Sequence, residues 1–310
     1  MSTRTLRTTT PLILVALLAT LSSGSRPASA QTKLRWKFKT GDKFQLQQTQ
    51  DMKMTMTVGG REIKTSVKQI MDIASAVTGV DEKGVAEVTQ KVSRIRFTMT
   101  APGGLNSAFD SASDEDPQDA VGKQIAPLFR ALAKAQFKAK INPRGETLKV
   151  EVPKDVLQEM QKLPFANALG GLATEEGMKK MTQLGAGVFP AEAVANGKTW
   201  SRKIELKNAV TGNQTIETTY GYLGEEKVGG RVLQRISVDL KMSFDPNNQA
   251  AATIKITDQK ASGLMRFDNV AGRIVDSKLD QIAIMEITAG GQVIKQKIEQ
   301  TVGVKSISSK

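Results

Sequence analysis

From Phe44 to Val58 the chain alternates, with Phe44, Leu46, Met52, Met54, Met56 and Val58 on one side and Lys43, Gln45, Gln47, Lys53, Thr55 and Thr57 on the other. A period of two is that of a β-strand with one buried face. Gly59-Gly60 offers a tight turn, and Ile63, Val67, Met71, Ile73 and Val77 carry the apolar side onward as a returning strand. A strand from residue 44 to 58, at about 3.4 Å per residue, would reach roughly 50 Å, longer than most globular strands, so it must twist and curve.

The same period runs through most of the chain. After the turn Asp81-Glu82-Lys83-Gly84, Val88 and Val92 lie on one side of a third strand and Ile95, Phe97 and Met99 on the other, so the phase slips at Ser93-Arg94, as a bulge would make it. Further strands are expected over 199–207, 215–223, 232–244, 251–267, 273–288 and 292–302, with Asp245-Pro246-Asn247-Asn248 and Gly290-Gly291 as turns. Between the two strand sets the period changes. Residues 101–116 read as a loop, after which Asp116 is expected to cap a helix with Pro117 at its first position and an apolar stripe of Val121, Ile125, Leu128, Phe129 and Leu132. Pro127 should kink or split that helix. A short hairpin around Asn142-Pro143-Arg144-Gly145 follows, then helices over 154–163 and 174–184, the second with Met178, Met181 and Leu184 on one side.

The first residues have the layout of an export signal: Arg4 and Arg7 without an acid, an apolar run from Pro11 to Leu21, and small residues at Ala28 and Ala30. Cleavage is expected after Ala30, because eleven apolar residues fall short of the roughly 20 needed to span a bilayer as a helix. Loss of residues 1–30 removes Arg4, Arg7 and Arg26 and lowers the net charge from +13 to +10. The expected organisation is a signal peptide, 1–30, and a single β-rich domain, 31–310, made of N-terminal strands (31–100), a helical middle (117–190) and C-terminal antiparallel strands (198–305). The place expected for it is periplasmic or extracellular. The lysines are interspersed rather than in runs, as on a solvated sheet face, and export makes nucleic acid a poor partner.

Chemistry is limited by what the chain lacks. It has no His and no Cys, which removes every Ser-His-Asp, Cys-His and His-ligated zinc arrangement. Gly197-Lys198-Thr199 imitates the end of a phosphate-binding loop, but Glu192 stands where the loop's first glycine belongs, so these residues read as the turn into a strand at Trp200. Asp110, Asp114 and Asp116 lie in the one concentration of acids, where a calcium loop is weighed against helix-end residues; the glycine and distal Glu of a recognised calcium loop are absent. The expectation is a protein that is not an enzyme and that needs no cofactor.

Three stretches together resemble a known family: Trp36-Lys37-Phe38-Lys39-Thr40-Gly41-Asp42-Lys43-Phe44, then Phe109-Asp110-Ser111 followed by Glu115-Asp116-Pro117, then Asn142-Pro143-Arg144-Gly145-Glu146. In this order they are similar to a family of uncharacterised exported bacterial proteins, domain of unknown function 6263, over most of the chain from Leu34. That family has no assigned activity, so the resemblance carries over no functional residue.

These patterns imply an α+β fold in which a long curved antiparallel sheet, half-barrel-like, wraps a central helical segment. The leading functional expectation is a hydrophobic ligand held between sheet and helices, lined by Met52, Met54, Met56, Val121, Ile125, Leu128, Phe129 and Leu132, since methionine adapts to irregular apolar shapes. The alternative is a structural module that meets other envelope components through sheet edges or its basic surface.

Overall fold

The structure, a computed structural model, describes residues 31–163, 174–185, 187–208, 211–246 and 252–307. The expected signal, with Ala28 and Ala30, lies outside the described residues, as do Asn247 and Asn248 of the expected turn and the side chains of Met181 and Leu184.

The alternating segments form one antiparallel sheet of twelve strands. They are β1 (Lys43–Val58), β2 (Arg61–Val80), β3 (Ala86–Ala101), β4 (Leu105–Asp110), β5 (Gln136–Ile141), β6 (Thr147–Glu151), β7 (Thr199–Asn208), β8 (Gly212–Val228), β9 (Arg231–Asp245), β10 (Ala252–Asp268), β11 (Arg273–Ala289) and β12 (Gln292–Ile307). Their spatial order is β6-β5-β3-β2-β1-β12-β11-β10-β9-β8-β7, with β4 paired to β3. The two strand sets therefore join where the first strand meets the last, Met54 opposite Ile298. The slip at Ser93-Arg94 is a register shift, Asp72 pairing Arg94 while Ile73 pairs Val92.

Three α-helices lie among the described residues: α1 (Ala120–Lys134), α2 (Lys154–Lys162) and α3 (Glu175–Gly185). The stripe of α1 packs on β3 and β4, where Ala126 and Phe129 meet Val92, Ile95 and Phe109 in one core cluster. A second cluster joins α2, through the fully buried Val156, to Ala139 and Val150 of the β5–β6 hairpin. Helix α3 packs on β6 and also touches β7, the two strands at opposite ends of the sheet's path. None of the described helices is long and apolar enough to cross a membrane.

Three local expectations are corrected. The segment expected to be a loop over 101–116 contains β4, whose Leu105, Ser107 and Phe109 alternate against β3. Helix α1 starts later than expected: Asp119, not Asp116, is the cap, accepting a hydrogen bond from Gly122 N at 2.7 Å, while Asp116 pairs with Arg130 at 2.6 Å. The ring of Pro117 sits over that first turn, where a Cβ on Gly122 would come within 2.4 Å of it. Finally, α1 runs unbroken through Pro127, which faces solvent, because Ala126 and Phe129 on either side anchor the helix to the sheet.

Segment 31–42 and segment 187–197 cross one end of the sheet. Trp36 N donates to Pro143 O at 2.8 Å and Lys37 N to Gly272 O at 3.2 Å, so one short stretch touches both the β5–β6 and the β10–β11 turns. Leu34 and Phe189 of these crossings pack on Tyr220, Ile236 and Phe267 of the sheet in one core cluster.

Candidate functional site

The ladder registers set out one continuous sheet face row by row. Val67, Met52, Gln300 and Gln281 lie side by side on β2, β1, β12 and β11; Thr65, Met54, Ile298 and Ala283 form the next row, and Ile63, Met56, Gln296 and Met285 the one after. This is the side on which α1 packs, since Met71 and Ile73 of the same set meet its stripe. On this helix-side face no Asp, Glu, Lys or Arg occurs along β1, along β2 from Ile63 to Val77, along β12, along β11 from Ser277 to Ala289, or along β10 up to Phe267. The opposite face carries the charge, in pairs such as Lys278–Asp280 at 2.8 Å, Lys297–Glu299 at 3.2 Å and Arg266–Asp276 at 3.1 Å. Burying an unpaired charge is costly, whereas a glutamine amide brings polarity without net charge. Over these stretches the helix-side face is therefore uncharged.

Glutamines bond locally across that face. Gln296 donates to Met54 Sδ at 2.7 Å, while Gln281 and Gln214 reach Met242 Sδ at 3.8 and 3.6 Å. The β9–β10 ladder registers from Ser262–Asp239 to Phe267–Gln234. Beyond it, Gln259 takes over as a surrogate peptide, accepting from Met242 N and donating to Met242 O, both at 2.8 Å.

Met52, Met54 and Met56 are half-buried and belong to none of the core clusters among the described residues. The helical half of the expected lining sits elsewhere: Ile125, Phe129 and Leu132 pack on Ile95 and Phe109, and Leu128 packs toward Val150 and Val156. Val121 is half-buried in the first turn of α1. The methionine row and the helix stripe thus share a face of the sheet without sharing a cluster.

The acidic residues Asp110, Asp114 and Asp116 are kept apart. Arg94 binds Asp110 through two nitrogens, at 3.0 and 2.6 Å, and that hydrogen-bonded guanidinium holds the Asp110 carboxyl below the usual carboxylate range. Asp116 is taken by Arg130 and Asp114 is exposed. Among the described residues no three acids come together to hold a metal ion. A cavity of about 500 Å³ opens beside this loop, between Lys68, Arg96, Asp110 and Pro117, and Arg96 is bound to Asp72 at 2.9 Å.

The glutamines were missed in the sequence pattern because they interrupt an apolar run; the signal that could have found them is the absence of charge at every second position. Residues 83–274 match the family of unknown function DUF6263. The chain belongs to that family. No curated protein matches this DUF6263 chain. Among solved structures it is similar to one of lipid–protein interactions in lipovitellin, at 10% identity and a TM-score of 0.46, covering 88% of this chain and 26% of that one. It thus spans about a quarter of the lipovitellin chain's length. A β-barrel-like protein of unknown function from Brucella abortus is 8% identical with a TM-score of 0.20, over 86% of this chain and 98% of that one. An outer membrane channel from Pseudomonas putida F1 is 6% identical with a TM-score of 0.22, over 88% and 97%.

Proposed function

We propose that this DUF6263 member is an exported, non-enzymatic protein that holds a hydrophobic ligand against the helix-side face of β1, β12 and β11. One observation carries the reading: the rows through Met52, Met54 and Met56 have no charged residue, and the three methionines and Ile298 stay half-buried. The sheet in this reading curves into a trough with that face inside, as long twisted strands do, and α3 supports it by reaching both β6 and β7. An acyl chain laid along the rows would gain about 0.8 kcal/mol per buried CH₂, on the order of 10 kcal/mol for a dozen, from which the cost of ordering is subtracted. Export enters the proposal from Arg4, Arg7, the apolar run that follows and the small residues Ala28 and Ala30. The competing assembly role has less support, since α3 lies against both end strands.

Native mass spectrometry of the protein purified from its own host tests this. The expected result is an adduct of lipid mass that organic extraction removes and that the variants Met54→Lys and Ile298→Glu fail to retain while keeping their circular dichroism. A bare protein that also ignores a fluorescent acyl probe would end the proposal.

A further inference from the structure

We infer that the polar end of the ligand is uncharged and that Gln48, Gln50, Gln69 and Gln300 form its seat. This deepens the proposed function and rests on it. The four belong to the helix-side face: Gln50 stands opposite Gln69 across β1 and β2, Gln48 is two residues along β1, and Gln300, opposite Met52, lies diagonal to Gln50. All four are half-buried. Other glutamines of this face spend their amides within the protein: Gln214 and Gln281 on Met242, Gln296 on Met54, and Gln259 on the Met242 backbone. The side chains of Gln48, Gln50, Gln69 and Gln300 make no hydrogen bond among the described residues, and none is a residue whose partner is left unnamed.

Each free amide offers two N–H donors and an accepting oxygen without net charge. A cluster of them matches groups that donate and accept together, such as the hydroxyls and esters of a monoacylglycerol or a glycolipid. A carboxylate or phosphate would need a cation to replace its water, and the helix-side positions of β1, β12 and the central parts of β2, β10 and β11 supply none. Two arginines face the same way, away from the seat: Arg202 on β7, at the end of the sheet's path, is already engaged, and Arg61 is exposed beside the Gly59-Gly60 turn, beyond the methionines. The seat also sets a direction. Met54, Met56 and Ile298, all half-buried, continue from it toward the Gly59-Gly60 and Gly290-Gly291 turns, so the hydrocarbon runs that way and the polar end stays near the strand centres.

The test uses the exported protein as recovered from its host, stripped of lipid, and compares monoolein with oleate at pH 8, two probes that share one hydrocarbon chain. Monoolein should bind at least about tenfold tighter, and Gln50→Leu with Gln69→Leu, or Gln300→Leu alone, should cost about tenfold in monoolein affinity. Gln50→Lys should shift the preference toward oleate, a gain that misfolding cannot imitate. Oleate binding as tightly as monoolein, or monoolein affinity unmoved in all three variants, would overturn the uncharged seat and leave the hydrophobic site standing. Failure of both probes to bind would overturn the two together.

Discussion

Two stretches of the same sheet face, around Phe267 and around Met54, have like composition and opposite fates. Phe267 is fully buried, and its ring centroid lies 4.7 Å from that of Phe189 and 5.6 Å from that of Trp36. Both of those residues arrive on covering segments, pinned where Thr32 and Val194 exchange backbone hydrogen bonds of 2.8 and 2.9 Å and where Phe189 N donates to Arg144 O at 2.8 Å. Met54 faces the same way on a strand face just as free of charge, yet it stays half-buried beside Ile298 and Thr65. A strand's alternation decides which side is apolar. Whether that side becomes core depends on a separate piece of chain being tied across it.

The contrast is tested first where it should be largest. Phe267→Ala removes an aromatic ring from a packed site and should cost about 3–5 kcal/mol in urea unfolding. A loss near 1 kcal/mol would mean the covered end is packed no better than the methionine row. Next comes the tie itself. Gly145 has φ +84°, and a Cβ there would stand 2.3 Å from Trp36 Nε1 and 2.6 Å from Gly187 O. Gly145→Ala is both strained and obstructed, so it should destabilise by more than about 1 kcal/mol, with near-ultraviolet dichroism from Trp36 changed. An unaltered signal and stability would show that the Trp36 crossing does not depend on this close approach.

Much of the sheet was legible because its evidence is local. The period of two from Phe44, the turn at Gly59-Gly60 and the phase slip at Ser93 each depend on a few neighbours, and each appears in the ladders. Strand β4 escaped because Asn106 and Ser107 weaken a six-residue alternation that has glycines just before it. The cap moved from Asp116 to Asp119 because two acids three residues apart both precede the stripe, and the choice falls to Arg130, which binds Asp116. Least legible was the covering. Nothing in the order of residues around Leu34 or Phe189 reveals which of many apolar rows they will cross, since those contacts join residues far apart in the chain, as the bond from Arg35 Nη1 to Pro190 O at 2.8 Å does over 155 positions.

Helix α1 covers β3 and β4 as the Trp36 segment covers Phe267, and its cap gives a smaller test. Asp119→Ala should cost about 1 kcal/mol, and Asp119→Asn, which can still accept from Gly122 N, only part of that. The Gly122 hydrogen bond lowers the Asp119 pKa below that of an ordinary carboxylate. The stability it contributes is therefore complete above the unfolded value of about 4 and disappears as pH falls through the lowered folded value. Stability of the Asn variant measured across acidic pH should fall less steeply than wild type; parallel curves would remove the cap from the account.

The smallest stability effect should come from the open region. Met54→Ala deletes a side chain that is already half in water and whose sulfur accepts one hydrogen bond, from Gln296. Its loss forfeits part of a transfer energy rather than leaving a closed cavity, so less than about 1 kcal/mol is expected in urea unfolding. The same substitution narrows the apolar floor on which a bound chain would lie and should weaken retention of an acyl probe clearly. Phe267→Ala should reverse the two effects, costing stability first and binding only as the fold fails. A Met54 variant as damaged as the Phe267 one would mean that something already covers the methionine row. The two regions would then differ only in how that cover is attached.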